Sequence, residues 1–143
     1  MLGITRRDFA IRSENFNLLQ PWNLLRIICG AFMFPHAMSK FANGGFNPGV
    51  LGFFAKAGFQ PAEAWVALAF LVELGSGIAL VLGICTRFAA LAAAGALVVA
   101  VYALHMVKGF GWLWNLGGYE YPVFWALTAV ALALHGFQEA DQA

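Results

Sequence analysis

Hydrophobic positions in this chain come in long unbroken runs, with little of the polar alternation of a half-buried strand. Four stretches stand out, at 22–41, 62–84, 86–106 and 120–137. Each approaches the roughly 20 apolar residues that a helix needs to cross a bilayer. Inside hydrocarbon only helices and closed barrels satisfy every backbone hydrogen bond, and barrel strands would alternate over about ten residues. The pattern therefore predicts an all-α fold, a transmembrane four-helix bundle at 22–137. It is preceded by a polar, basic arm at 1–21 and followed by a short tail at 138–143. The gap at 42–61 carries Gly44, Gly45, Pro48, Gly58 and Pro61 around an apolar patch, Val50 to Phe54, and reads as a loop dipping into the interface. A tight turn is expected around Gly83 to Arg87. The gap at 108–118, with Trp112 and Trp114 and then Tyr119 and Tyr121, has the aromatic signature of a membrane–water boundary.

Composition makes lipid the expected partner: 62% of the 143 residues are hydrophobic and 10% charged, more apolar than a soluble domain of this size hides from water. A net charge of +1, with no basic stripe beyond Arg6, Arg7 and Arg12, gives no support for nucleic-acid binding. Arg6, Arg7, Arg12 and Arg87 fall on one side of the spans and Lys40, Lys56 and Lys108 on the other. This bias places both termini in the cytoplasm of a multi-pass protein of the inner (cytoplasmic) membrane. Thr5-Arg6-Arg7-Asp8-Phe9 looks like a twin-arginine export signal, but Glu14, Asn15, Asn17 and Gln20 separate it from any apolar core. A basic juxtamembrane anchor, with Phe9 and Phe16 at the headgroups, is the reading adopted. Cys29 and Cys85 form no C-x-x-C and are expected to pack as small hydrophobes.

A charge near the bilayer centre costs roughly 3 kcal/mol, so each one inside a span needs a partner or a purpose. The first stretch holds Arg26, His36 and Lys40, and the second holds Glu73. The third ends with His105, and the fourth begins with Glu120 and ends near His135. At 1.5 Å per residue, with alternating directions, Glu73 falls near the midplane. His36, Lys40, His105 and Glu120 fall in the same half, with Arg26 and Arg87 in the other. His36 and Lys40, four residues apart, share a face. Such a set suits a buried ion-pair network, a pocket for a polar head group or a proton relay. Lys40 and Lys108 could also snorkel to the headgroups, and His135 reads as an interfacial histidine. Pro35 is expected to kink the first span toward the pocket.

The run Leu25-Arg26, Gly30, Phe34-Pro35-His36 and Lys40-Phe41 is followed by Glu73-Leu74-Gly75 with Gly77, and by Leu82-Gly83 with Thr86-Arg87. His105 with Gly109-Phe110 and then Gly118-Tyr119-Glu120-Tyr121 complete the set. Over roughly residues 22–137 these motifs resemble the DoxX family of small four-helix membrane proteins. Ala37 stands where many relatives have glycine. The resemblance implies a link to quinol oxidation or to oxidation of small sulfur compounds with quinone as acceptor.

Residues and resemblance together give the leading expectation of a quinone-linked redox subunit, part of a quinone-dependent oxidoreductase. Glu73, His36, His105 and Glu120 are its candidate catalytic groups, and Lys40, Arg26 and Arg87 its candidate ligand-binding groups. Quinone is the expected cofactor; no haem, metal or nucleotide is expected. Electrons would come directly from a small reductant or from a partner redox subunit, and a homo-oligomer is the other assembly expected. The alternative is a non-enzymatic scaffold or assembly factor, or a small-solute carrier, whose buried charges are structural.

Overall fold

The structure, a computed structural model, describes residues 3–142; the first two residues of the arm and the last of the tail lie outside it. The arm forms two single-turn 3-10 helices, Arg6–Phe9 and Ser13–Phe16. Helix α1, Pro21–Ala31, opens with a proline in its first turn, where the missing N–H costs nothing. Pro35 then acts four residues downstream of Ala31. Having no N–H, it cannot bond the Ala31 carbonyl, and the helix breaks at Phe32 before resuming as α2, Met33–Met38. The expected single span at 22–41 is therefore two helices, ending at Met38.

The expected loop at 42–61 is more ordered than its glycines suggested. Phe41–Ala42 (β1) and Gly45–Phe46 (β2) pair antiparallel, with Phe41 opposite Phe46 and Ala42 opposite Gly45. The two-residue connection is Asn43-Gly44, with φ of 52° and 82°. This doubly left-handed turn matches strand twist and favours Asn-Gly. Asn47 then caps α3, Pro48–Lys56: its Oδ1 accepts from the Gly49 N–H at 2.9 Å. The hairpin and α3 take the place of further helix after Met38. Phe41 packs edge-on to Phe70 at 4.8 Å and Phe59 lies 5.2 Å from Trp65, so this segment lies against the first half of α4.

Among the described residues three helices are long and apolar enough to cross a membrane: α4, Ala62–Leu82; α5, Thr86–Lys108; and α6, Glu120–Gln142. Gly83, at φ +77°, ends α4 in the left-handed conformation that glycine adopts without strain. Helix α6 runs past the expected end at 137, so the described part of the tail is its last turn. No glycine or proline follows Gly136, and His135 and Glu139, one turn apart, lie 3.4 Å from each other.

The core is built from small side chains. Ala90, Ala93, Ala129 and Ala133 are essentially inaccessible, and they let α5 and α6 form the most extensive helix pair. A second close approach joins α1 to α4, where a Cβ on Gly30 would stand 2.7 Å from Leu80 Cβ and 2.8 Å from the Gly77 carbonyl. Gly75 and Gly95, by contrast, face open space. The helices alternate in direction, and the arm and the last turns of α6 line one cleft. Both ends of the described chain therefore lie at the same end of the bundle.

Candidate functional site

Glu73 sits midway along α4, as the rise per residue predicted, and its carboxylate pairs with the Lys40 ammonium. Lys40 lies just past the last turn of α2. It does not extend to the headgroups; it turns inward, 6% exposed. Its Nζ also donates to the His36 carbonyl at 3.1 Å. One ammonium thus closes the end of α2, where carbonyls lack helical partners, and neutralises the carboxylate in the middle of α4. Lys40 and not Arg26 is therefore the partner of Glu73. The pair is mostly enclosed, its side chains 8% and 15% accessible.

The His36 ring is exposed on the same stretch and tilts over Trp125 of α6, with centroids 5.3 Å apart. Trp125 is buried, and its indole N–H donates to Cys29 Sγ at 3.1 Å, while Tyr121 meets its edge at 6.3 Å. Trp125 thereby ties α1, α2 and α6 together beside His36. Sequence reasoning passed over it. The available signal was an indole N–H inside an apolar run, which must find an acceptor.

His105 and Glu120 belong to a neighbouring group at the same end. His105 Nδ1 lies 3.4 Å from the Tyr119 hydroxyl, and Tyr119 is ringed by Phe110 and Trp112. Glu120, at the start of α6, accepts from the Trp114 N–H at 3.3 Å. Among the described residues no hydrogen bond or ion pair joins this group to Lys40 and Glu73. The expected cluster of five is therefore two adjacent groups, one an ion pair with a histidine, the other a histidine–tyrosine pair under aromatics. No three His, Cys, Asp or Glu side chains converge among the described residues.

Arg26 and Arg87 occupy the opposite end, and both are engaged by the protein itself. Arg26, 5% exposed, donates to the carbonyls of Leu80 and Val81 at the end of α4 and to Asn15 of the arm. Asn15 Nδ2 adds a bond to the Leu82 carbonyl at 3.2 Å. Together they cap α4. Arg87 Nη1 pairs with Asp8 Oδ1 at 2.7 Å, and the Cys85 N–H donates to the Asp8 carbonyl at 2.7 Å. Burial pushes the Asp8 carboxyl up, but the Thr5 N–H and hydroxyl, together with Arg87, outweigh it and hold the group below its ordinary value. Burial and Asp8 push the Cys85 thiol up against the pull of Arg87, which disfavours a reactive thiolate. Both cysteines are free.

Residues 22–106, well over half of the chain, match the DoxX family. This chain belongs to the DoxX family. The matched segment includes Arg26, His36, Lys40, Glu73, Arg87 and His105, while Tyr119, Glu120 and Trp125 lie beyond it. A relative from Bacillus subtilis (strain 168), named "Putative oxidoreductase CatD", is 31% identical over 113 residues, covering 79% of this chain and 77% of the relative. No solved structure matches. Within this DoxX chain, Glu73 and its lysine lie inside the family match, and the aromatic group around Tyr119 begins where the match ends.

Proposed function

We propose that this DoxX protein is a quinone-linked redox subunit that crosses the inner membrane four times with both termini in the cytoplasm. In this reading α1 and α2 together make the first crossing. Pro21 to Met38 spans about 27 Å, close to the roughly 30 Å of a hydrocarbon core. The observation that carries the functional reading is the Lys40–Glu73 pair in the middle of a membrane-length helix, with an exposed imidazole alongside it. An ion pair in that position is costly to insert, and a bundle held only by packing has no need of one. The oxidoreductase name of the Bacillus subtilis relative is consistent with electron-transfer chemistry.

A quinone supplies two-electron, two-proton acceptor chemistry when bound. The chain would supply donors and acids. Lys40 Nζ already donates to an oxygen, the His36 carbonyl, and can donate to a head-group oxygen. Glu73 holds the counter-charge beside it, and the protons taken up by the head group would be replaced from water. Exposed His36 presents its imidazole beside Trp125, and His105 with Tyr119 offers a hydroxyl–imidazole couple. Electrons would come from a small reductant or a partner subunit. Adding a short-chain quinone to detergent-solubilised protein is expected to raise the melting temperature of wild type but not of His36→Ala. No shift at saturating quinone speaks against the reading.

One observation favours a second reading, a scaffold or solute carrier. The Lys40–Glu73 pair is closed on itself and links the chain after α2 to α4, as a structural staple would. In that case Glu73→Gln lowers stability without altering any ligand response.

A further inference from the structure

At the end of the bundle opposite Lys40 and Glu73, the arm, the start of α5 and the last turns of α6 enclose an open cleft of about 1000 Å³. Four arginines line it, Arg6, Arg7, Arg12 and Arg87, against three carboxylates, Asp8, Glu139 and Asp141. The carboxylates are engaged within the protein. Asp8 is taken up by Arg87 and by the Thr5 N–H and hydroxyl, and Glu139 lies beside His135. Asp141 has a partner of its own. By contrast, Arg6, Arg7 and Arg12 are exposed, with no ion pair or side-chain hydrogen bond among the described residues.

Two further observations show what the cleft lacks. Arg87 is more than nine-tenths buried, yet its Nε is the one enclosed side-chain donor left without a partner among the described residues. An unsatisfied buried donor is unfavourable, and anionic charge held nearby in the cleft lessens that cost. In addition, α5 begins here with no side-chain cap, so the positive end of a 23-residue helix opens on the same space. The need is for several anionic oxygens on one compact group. Around the arginines the arm exposes Phe9, Ile11, Phe16, Leu18 and Leu19, the last of them 91% accessible. Water leaves such side chains unsatisfied, whereas acyl chains cover them.

We propose that this cleft is a binding site for the phosphate of an anionic phospholipid. Arg6, Arg7 and Arg12 contact its oxygens, the enclosed Arg87 guanidinium and the start of α5 add positive potential, and the apolar arm side chains lie among its acyl chains. The site does not depend on the redox reading.

Native mass spectrometry of the full chain in detergent, titrated with phosphatidylglycerol or phosphatidylcholine, tests it. One tightly held phosphatidylglycerol is expected, with phosphatidylcholine held far more weakly. In the double variant Arg6→Gln, Arg12→Gln, which removes two exposed guanidiniums, affinity for phosphatidylglycerol should fall about thirtyfold. Its melting temperature without lipid should be unchanged. Equal retention of the two lipids, or undiminished phosphatidylglycerol binding by the double variant, overturns the site. Inorganic phosphate competing at the concentration at which the lipid binds also overturns it, since the cleft would then take a soluble anion.

Discussion

Lys40 does two jobs with one ammonium. It closes the end of α2 through the His36 carbonyl and neutralises Glu73 in the middle of α4. Removing one partner leaves the other charge enclosed without compensation, whereas removing both leaves neither. Lys40→Met and Glu73→Gln are each expected to lower stability in detergent by about 1–3 kcal/mol, and the double variant by clearly less than their sum. Additive losses, read from unfolding midpoints, would show that the two groups do not interact. At the other end, Asp8 gives a pH signature. Its folded pKa is depressed, so its contribution is complete above its ordinary value of 3.8 and is lost as pH falls through the lower folded value. The arm should therefore loosen under acid. Cleavage by pepsin next to exposed Phe9 should accelerate steeply as pH falls below about 4 in wild type, and be fast already at that pH in Asp8→Asn. A wild-type rate without this rise would place the holding interaction elsewhere.

Among the elements, the tightest fit is the crossing of α1 and α4 at Gly30 and Gly77. Gly30→Val would drive a side chain into the Leu80 Cβ and the Gly77 carbonyl. A loss of about 3 kcal/mol is expected, at the upper end of overpacking costs because one neighbour is backbone. The same change at Gly75, which faces open space, should be nearly silent, and comparing the two melting temperatures checks the crossing. Helix existence was legible in the sequence because hydrocarbon forces long apolar runs to be helical. Helix boundaries were less so. The break at Phe32 follows from Pro35, whose kink was expected, but its full consequence, a helix that ends at Met38, depends on the hairpin that follows. That hairpin had a readable signal in Asn43-Gly44, outweighed by the loop-like density of glycine and proline across 42–61. The depth of Glu73 could be computed from the helical rise, whereas its partner could not. Whether Lys40 snorkels outward or turns inward depends on the turn at Ser39 and Lys40, which carries no sequence signature.

For the whole molecule, the charged groups divide between the two ends of the bundle. Arg26 and Arg87 stabilise helix termini and the arm where the chain begins and ends. Lys40, Glu73, His36 and His105 lie in the middle and at the far end, where no helix terminus accounts for Glu73. Sequence spacing separated these two sets correctly, yet grouped His105 and Glu120 too closely with the ion pair. Spacing reports depth along the helices and not position around the bundle. The proposed role of the Lys40–Glu73 pair is to serve a redox ligand. It is tested most directly by extracting gently purified wild type and Glu73→Gln, both verified as folded, and measuring the quinone bound per protein by chromatography. Near-stoichiometric quinone is expected with wild type, and a large loss in Glu73→Gln. Quinone absent from both, or retained equally by both, would contradict it and leave Lys40–Glu73 as a staple between helices.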